Sequence, residues 1–559
     1  MTQGANLPVN DPVFSSEAIK HAAHAVVRGE SRTVPSTLLI SGVVATHAGK
    51  QPNKVALHAS DGEEVTYADL NERVGGMARF LKNHGCGAGA RVAVAGRRSI
   101  NTVVAFLALE RIGGVYIPVS AEWPDTRLVQ VLSQARCSHL LSLAAEAPNR
   151  HAEHSLLATA ATRSRVLFME AVNPPVGDLW IGDVPTHAES DKQQRYIIYT
   201  SGSTGLPKGA IVEHGALINH LWHMNVALGL GPTDVVAFNA SPTYVISMWQ
   251  MLAGLLAGGR VAVISERDAN FPRGHSRALQ RLDVSIVQMV PTILGLFLEE
   301  LGRHASADRI PRVRWMISTG EELSPKLAAR VFDILPTARL MNAYGMSECS
   351  DDVAQHVVES DDLKLRRIPI GLPIANSALY VLVPDRDGWR PAAEGETGEL
   401  FVGGRPVGAG YVGSDESAGD PFFLDPFDPF SPTRRLYRTG DMACIESGVV
   451  YCLGRMDRQV KVRGVRVELD EVERALERHP HVTQCAITVE TQGESMELRA
   501  YVLAKEQVPS EELRNFLHKQ IPSAMVPRYW NMVSEIPVTR SGKTDYKMLQ
   551  RTRPPSDHR

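Results

Sequence analysis

Tyr199-Thr-Ser-Gly-Ser-Thr-Gly-Leu-Pro-Lys-Gly209 packs three glycines, four Ser/Thr hydroxyls and one lysine into eleven positions. The apolar run Tyr196-Ile-Ile-Tyr199 leads into it and reads as a strand. Glycines let a loop backbone wrap closely round a ligand. Hydroxyls and backbone N–H groups donate to phosphate oxygens, and the lysine adds a point charge. A plain surface turn is the competing reading. The strand before the loop and the lysine fixed behind Pro207 favour a polyphosphate, and with it a nucleotide. The loop is not of the Gly-x4-Gly-Lys-Ser/Thr type. Lys208 stands three residues past Gly205, and the Gly-Lys-Thr at 542–544 has Pro537 where that pattern needs a glycine.

Outward from the loop, 559 residues exceed one ordinary core, so several domains or subdomains are expected. A hydrophobic content of 44% with 22% charged residues is that of a soluble globular chain. A net charge of −3 without a long charge block gives no sign of a nucleic-acid surface. The basic cluster from Arg455 to Arg466 is local and reads as a solvated strand or turn face. Six scattered cysteines with no CxxC pair argue against a zinc site and a disulfide framework, and fit a reducing cytoplasm. The N-terminus lacks a basic-then-apolar signal pattern. No apolar run approaches the ~20 residues of a membrane helix; Arg260 interrupts the best candidate.

The expected fold is a large α/β N-terminal domain with parallel-rich sheets and a β subdomain, followed by a small α+β lid. Residues 1–35 read as an extension, 36–456 as the core domain and 457–555 as a mobile C-terminal domain. In the extension Ile19, Ala22, Ala23, Val26 and Val27 fall at helical spacing, and Gly29 ends that run. In the core, Arg91–Ala95 and Arg314–Ser318 read as strands, Asn101–Arg111 as a helix. Glu399–Gly404 sits in a glycine-rich, β-only setting. In the lid, Leu469–Pro480 is a helix signature with acidic residues first, Arg and His last, and Pro as the stop.

Further motifs follow in order: Gly113-Gly-Val-Tyr-Ile-Pro118, Asn342-Ala-Tyr-Gly-Met-Ser-Glu348, Tyr437-Arg-Thr-Gly-Asp441, Gly454-Arg-Met-Asp-Arg-Gln-Val-Lys-Val-Arg-Gly464 and Pro537-Val-Thr-Arg-Ser-Gly-Lys543. With the loop at 199–209 they resemble the adenylate-forming superfamily of acyl-CoA synthetases, luciferases and nonribosomal peptide synthetase adenylation domains. The similarity extends over nearly the whole chain and is closest to stand-alone adenylation domains. Met346 and Ser347 depart from that group's Pro and Thr; Ser347 keeps the hydroxyl.

The resemblance implies attack of a carboxylate on the α-phosphate of ATP, with pyrophosphate leaving. It assigns the β- and γ-phosphates to Lys208 and to Thr200, Ser201, Gly202, Ser203, Thr204 and Gly205. It gives Glu348 a Mg²⁺ ion, Ser347 the α-phosphate, Tyr344 the adenine and Asp441 the ribose, with Asn342 and Arg455 beside the nucleotide. Lys543 would bridge the substrate carboxylate and the α-phosphate. Asp457 is the implied hinge on which the lid turns, bringing Gly464 to a thiol channel.

The hinge sequence Asp457-Arg-Gln-Val is the peptide-synthetase form rather than the Lys-Asp form usual in coenzyme A ligases. The implied acceptor is therefore the phosphopantetheine thiol of a discrete carrier protein, since neither a carrier serine motif nor a condensation motif follows Lys543. An acyl-CoA ligase remains the alternative. The implied acid pocket is Val245, Ile246, Trp249, Gln288, Ile317, Thr319, Ala343, Asp351 and Asp352. Val245 stands where enzymes for α-amino acids hold an aspartate for the α-ammonium. An acid without a normally recognised α-amine is expected, first a β- or ω-amino acid, otherwise an α-keto, α-hydroxy or aryl acid. Asp351 and Asp352 suit a displaced ammonium if either points inward; a solvent-facing or capping place is the alternative for each.

Overall fold

Alternating β-type and helical segments build two parallel-rich sheets in the computed structural model. It describes residues 25–120, 122–143, 165–168, 185–188, 190–202, 206–303, 310, 312–385, 388–413, 421–492, 495–506, 508–538 and 544–551. These fall into two compact units. The first holds Met1–Ala121, Leu132–Tyr199 and Gly209–Met456; the second holds Glu122–Val131, Thr200–Lys208 and Asp457–Arg559.

In the first unit a nine-stranded sheet runs Leu372–Pro373, Asp351–Val358, Arg339–Met346, Trp315–Thr319, Ile286–Met289, Val235–Phe238, Arg260–Val263, Val55–Ala59 and Glu64–Thr66. The strands from Arg339–Met346 through Val55–Ala59 are parallel, and the flanking pairs are antiparallel. A six-stranded sheet carries Arg91–Ala95, Val115–Val119 and Gln194–Thr200 side by side, again parallel. Val115–Val119 and Val235–Phe238 are buried along their whole length, as strands covered on both faces must be. The Ile100–Arg111 helix is apolar nearly all round and accordingly buried. Its one carboxylate, Glu110, accepts from the backbone N–H of Ile40 and Ser41 at 3.0 and 2.7 Å. It thereby caps the Ile40–Lys50 helix, whose own N-cap, Leu39, offers no side-chain acceptor.

A seven-stranded sheet supplies the β subdomain, with Gly398–Gly404 buried between Ser377–Asp385 and Arg435–Glu446. Here one expectation is corrected. Val26 and Val27 do not sit in a helix: Val26–Arg28 is an edge strand of this sheet, paired antiparallel with Ala378–Tyr380. A β-branched pair lying half-buried against an open edge gains ladder hydrogen bonds that a short terminal helix lacks. The remainder of that helical pattern, residues 19–24, lies outside the described residues.

In the second unit the hairpin Gln459–Val462/Val465–Glu468 turns at Arg463 and Gly464, both at positive φ (51° and 77°). That is the mirror-image turn whose twist matches a two-residue hairpin. A three-stranded sheet, Val482–Gln492, Ser495–Ala504 and Tyr529–Met532, packs with the helices Leu469–Leu476 and Ser510–His518 around Val472, Leu476, Ile487, Val502 and Leu513. Arg458 ties the unit together. It donates to Asp470, Glu473 and the Ile487 carbonyl, and lies 3.6 Å from the Tyr546 ring centroid. No described helix is long and apolar enough to cross a membrane.

Candidate active site

The phosphate-type loop belongs to the second unit, between the end of Gln194–Thr200 and the start of Lys208–Glu213. A Cβ on Gly202 would lie 2.0 Å from the Leu206 carbonyl oxygen, so only glycine fits where the loop closes on itself. Ser201 Oγ donates to the Arg466 carbonyl at 2.9 Å, and the Gly202 N–H to Glu471 at 3.3 Å. Glu471 is buried beside Arg127 (3.2 Å); burial raises its pKa, and Arg127 pulls the other way. Thr200 and Lys208 are half-buried. Ser203, Thr204 and Gly205 lie outside the described residues, as does Lys543. Asp457 is exposed and accepts from the Gln459 N–H at 3.2 Å. Gly464 forms the hairpin turn.

In the first unit Tyr344, Asp441 and Arg455 meet. The Tyr344 hydroxyl donates to Asp441 Oδ2 at 2.5 Å, and Arg455 donates to Asp441 Oδ1 at 2.9 Å. Burial, with the Asp441 carboxylate next, holds the Tyr344 phenol well above its usual pKa. Each carboxylate oxygen keeps a further lone pair, so Asp441 retains capacity for two hydroxyl donors. Asn342 is buried and donates to the Pro369 carbonyl at 2.8 Å. Its amide therefore braces the neighbouring chain. Ser347 and Glu348 sit on the short 3-10 turn after Arg339–Met346. Glu348 is fully buried and accepts from the Tyr411 hydroxyl at 2.6 Å. Tyr411 carries no motif of its own; its only signal in the sequence is its place in the glycine-rich stretch Gly403–Gly413. A hard carboxylate oxygen suits Mg²⁺, which takes one or two carboxylates and otherwise phosphate oxygens and waters.

The residues expected to form the acid pocket gather at the C-terminal ends of the parallel strands, where open α/β sheets bind ligands. Cross-strand pairing sets Gln288 beside Ile317 and Thr319 beside Ala343. Val245 begins the Ile246–Leu256 helix, and both Val245 and Ile246 pack half-buried on the core. Trp249, one turn on, is fully buried and donates its indole N–H to Gln288 Oε1. Gln288 Nε2 donates to Asp352 Oδ2 at 3.4 Å, and Thr319 Oγ1 to Asp352 Oδ1 at 3.1 Å. Asp351 and Asp352 are both buried, at 5% and 0% exposure, so neither is solvent-facing. A residue absent from the expected pocket, His220, joins them: its Nε2 lies 3.9 Å from Asp352 Oδ2. It sits inside the Leu217–Leu221 stretch of a mostly apolar helix, with no motif to mark it.

The model for the AMP-binding enzyme family matches residues 44–412, and that for the AMP-binding enzyme C-terminal domain matches 471–543. Zwittermicin A synthase ZmaJ of Bacillus cereus is 31% identical over 89% of this chain and 92% of its own length. Phosphinothricin tripeptide synthetase PhsB of Streptomyces viridochromogenes is 33% identical over 92% of this chain, but the chain spans only 42% of that protein. Among solved structures, NpsA-ThdA, an artificially fused adenylation-PCP di-domain from Klebsiella oxytoca, superposes with a TM-score of 0.76. The identity is 23%, over 89% of this chain and 94% of that one.

Proposed function

The chain belongs to the AMP-binding enzyme family, and from that premise we propose that it activates a β- or ω-amino acid as the acyl-adenylate and passes it to a carrier-protein thiol. As an adenylate-forming ligase it uses ATP with Mg²⁺. A carboxylate oxygen of the acid bonds to the α-phosphorus while the bond to the bridging oxygen breaks and pyrophosphate leaves. The thiol sulfur then attacks the acyl carbonyl, the C–S bond forms, AMP leaves and the thiol proton passes to solvent.

In this reading Lys208 and the N–H and hydroxyl groups of the loop hold the phosphates, which replace the Arg466 carbonyl and Glu471 as acceptors. Such fixed donors act chiefly by positioning and by electrostatic stabilisation. Asp441 takes the ribose hydroxyls, and Tyr344, anchored through its hydroxyl, offers its ring to adenine. Glu348, oriented by Tyr411, would hold the Mg²⁺ ion, which would supply positive charge to offset that of the phosphates. Lys543 spans the junction of carboxylate and α-phosphate. Asp457 is the hinge, and the lid face at Gly464 serves thiol transfer.

The observation that carries the choice of acid is the buried carboxylate of Asp352, held by Gln288 and Thr319, combined with valine at the head of the Ile246–Leu256 helix. A buried carboxylate favours an ammonium; Val245 gives an α-ammonium nothing to pair with, and leaving a buried charge unpaired costs ~3–5 kcal/mol. The hinge sequence supports a carrier thiol, as does the adenylation-PCP pairing that the Klebsiella oxytoca protein is described as containing. Exchange of labelled pyrophosphate into ATP over a panel of α-, β- and ω-amino, keto, hydroxy and aryl acids tests the reading. Exchange confined to acids with a displaced amine is expected. Rapid exchange with common α-amino acids overturns the use of Val245, and acylation of free coenzyme A in preference to a carrier protein overturns the acceptor.

A further inference from the structure

The His223 ring, one helical turn beyond His220, is a satisfied structural histidine. Its Nδ1 accepts from the Ala375 N–H at 3.1 Å and its Nε2 faces Gln355 Oε1 at 3.1 Å. His220 differs. It is 1% exposed, its Nε2 has no hydrogen-bond partner, and 3.9 Å to Asp352 is too long for one. One atom each from His220, Asp351 and Asp352 lies within 4.8 Å of the other two. Three potential acceptors thus converge on one point inside the acid pocket.

Two occupants suit such a cluster, each with its own spacing. Acceptors around a tetrahedral ammonium at about 2.8 Å sit about 4.6 Å apart. Ligands around a divalent metal at about 2.1 Å sit about 3.0–3.4 Å apart. The 3.9 Å from His220 Nε2 to Asp352 Oδ2 lies between the two spacings, and the amino-acid reading above makes the ammonium the occupant. A primary ammonium has three N–H donors and no acceptor. Burial, with His223 next, pushes the His220 pKa down to about 3, so the ring stays neutral. In its Nδ1–H tautomer it keeps a lone pair on Nε2.

Resting on the amino-acid reading above, we infer that His220 is a specificity-determining residue of the acid pocket: with Asp351 and Asp352 it gives a primary ammonium its third acceptor, and so selects –NH₃⁺ over N-alkylated amines. Asp352, through charge, separates amine-bearing from amine-free acids. His220, through one directed lone pair, counts the N–H bonds.

The test is pyrophosphate exchange with the best primary-amine acid of the panel, its N-methyl derivative and its deamino analogue, using wild type, His220→Leu and His220→Gln. Leaving one buried acceptor unpaired predicts that N-methylation lowers kcat/KM by about tenfold or more in wild type. His220→Leu keeps the volume, removes the acceptor, and brings that ratio to within about threefold; His220→Gln restores an acceptor oxygen and most of the ratio. Thermal unfolding and ATP binding of each variant establish that it is folded. A methylation ratio unchanged in His220→Leu overturns the inference while the amino-acid reading stands. A stoichiometric divalent metal that wild type carries and His220→Leu lacks overturns it too. If the deamino analogue is activated as well as the amine in wild type, the amino-acid reading itself falls, and the inference with it.

Discussion

Replacing Asp352 by Asn separates two things a buried carboxylate can do, hold a substrate or hold the fold. Asp352 is fully buried and accepts from Gln288 at 3.4 Å and Thr319 at 3.1 Å, both neutral donors. If the cation it serves is the substrate's ammonium, the asparagine leaves that ammonium buried without its counter-charge. The cost is ~3–5 kcal/mol, which corresponds to roughly a 150- to 5000-fold loss in kcat/KM. Stability should move little. The amide keeps one acceptor oxygen for Thr319 or Gln288 and gives up one hydrogen bond to a charge, worth about 1.5–3 kcal/mol. Against that, the desolvation penalty of the carboxylate, several kcal/mol, disappears. Pyrophosphate exchange with the preferred amine-bearing acid and with its deamino analogue, beside a thermal melt of the ligand-free protein, reads both quantities. The expected result is collapse of exchange with the amine-bearing acid, improvement of the deamino analogue relative to it, and a melting temperature no lower than wild type. Exchange kept within threefold together with a much lower melting temperature would refute the reasoning and make Asp352 a structural residue.

Tyr411→Phe removes the 2.6 Å hydrogen bond to Glu348; at about 1.5–3 kcal/mol for a bond to a charge it should lower kcat/KM for ATP roughly 10- to 150-fold. Half-saturating Mg²⁺ should rise and KM for the acid should change less. A variant with wild-type Mg²⁺ dependence would refute the link. Lys543→Ala should abolish adenylation yet spare thiol transfer from a preformed adenylate; equal loss of both half-reactions contradicts its role. Acid should unfold the protein earlier than its carboxylates alone require. Burial holds His214, His220 and His275 each at a pKa of about 3, with Arg195, His223 and Arg98 respectively adding to it. The unfolded value is about 6.5, so between the two the unfolded chain binds more protons. Their contribution to stability is therefore full above about pH 6.5 and declines below it, by up to ~1.4 kcal/mol per pH unit for each ring. A melting temperature that stays level from about pH 7.5 to about pH 5 would contradict neutral burial.

Much of the fold was legible because its signals are local. Arg91–Ala95, Ile100–Arg111 and Leu469–Leu476 announce themselves by apolar run, helical spacing and charge order, and each forms within a residue or two of the expected start. Val26 and Val27 failed for the opposite reason: their helical spacing is local, whereas the edge that claims them, Ala378–Tyr380, is some 350 residues away. The site divides in the same way. The Tyr344, Asp441 and Glu348 positions carry motifs. Tyr411 and His220 act only through what the fold puts opposite them, Glu348 in one case and the two aspartates in the other. No periodicity marks such a residue.

The pair Asp351–Asp352 shows most clearly why sequence could not choose between inward and outward. In a regular strand adjacent side chains point to opposite faces, so one of the two should have left the pocket. Both stay because the backbone is not extended where they begin: Ser350 and Asp351 have φ of 59° and 90°, a costly conformation for residues with a Cβ. The pairing register with Arg339–Met346 also slips between Tyr344 and Gly345. That slip needs Gly345, since a Cβ there would lie 1.8 Å from the Asp351 carbonyl oxygen. The glycine belongs to the Asn-Ala-Tyr-Gly motif, whose tyrosine reaches Asp441. One segment therefore does two jobs: Tyr344 reaches Asp441, and Gly345, one residue later, lets the strand opposite bend so that two carboxylates converge on His220. Under the proposed function the choice of acid would rest on the strain that this glycine permits, with the Asn-Ala-Tyr-Gly motif and the two aspartates on adjoining strands of the same sheet.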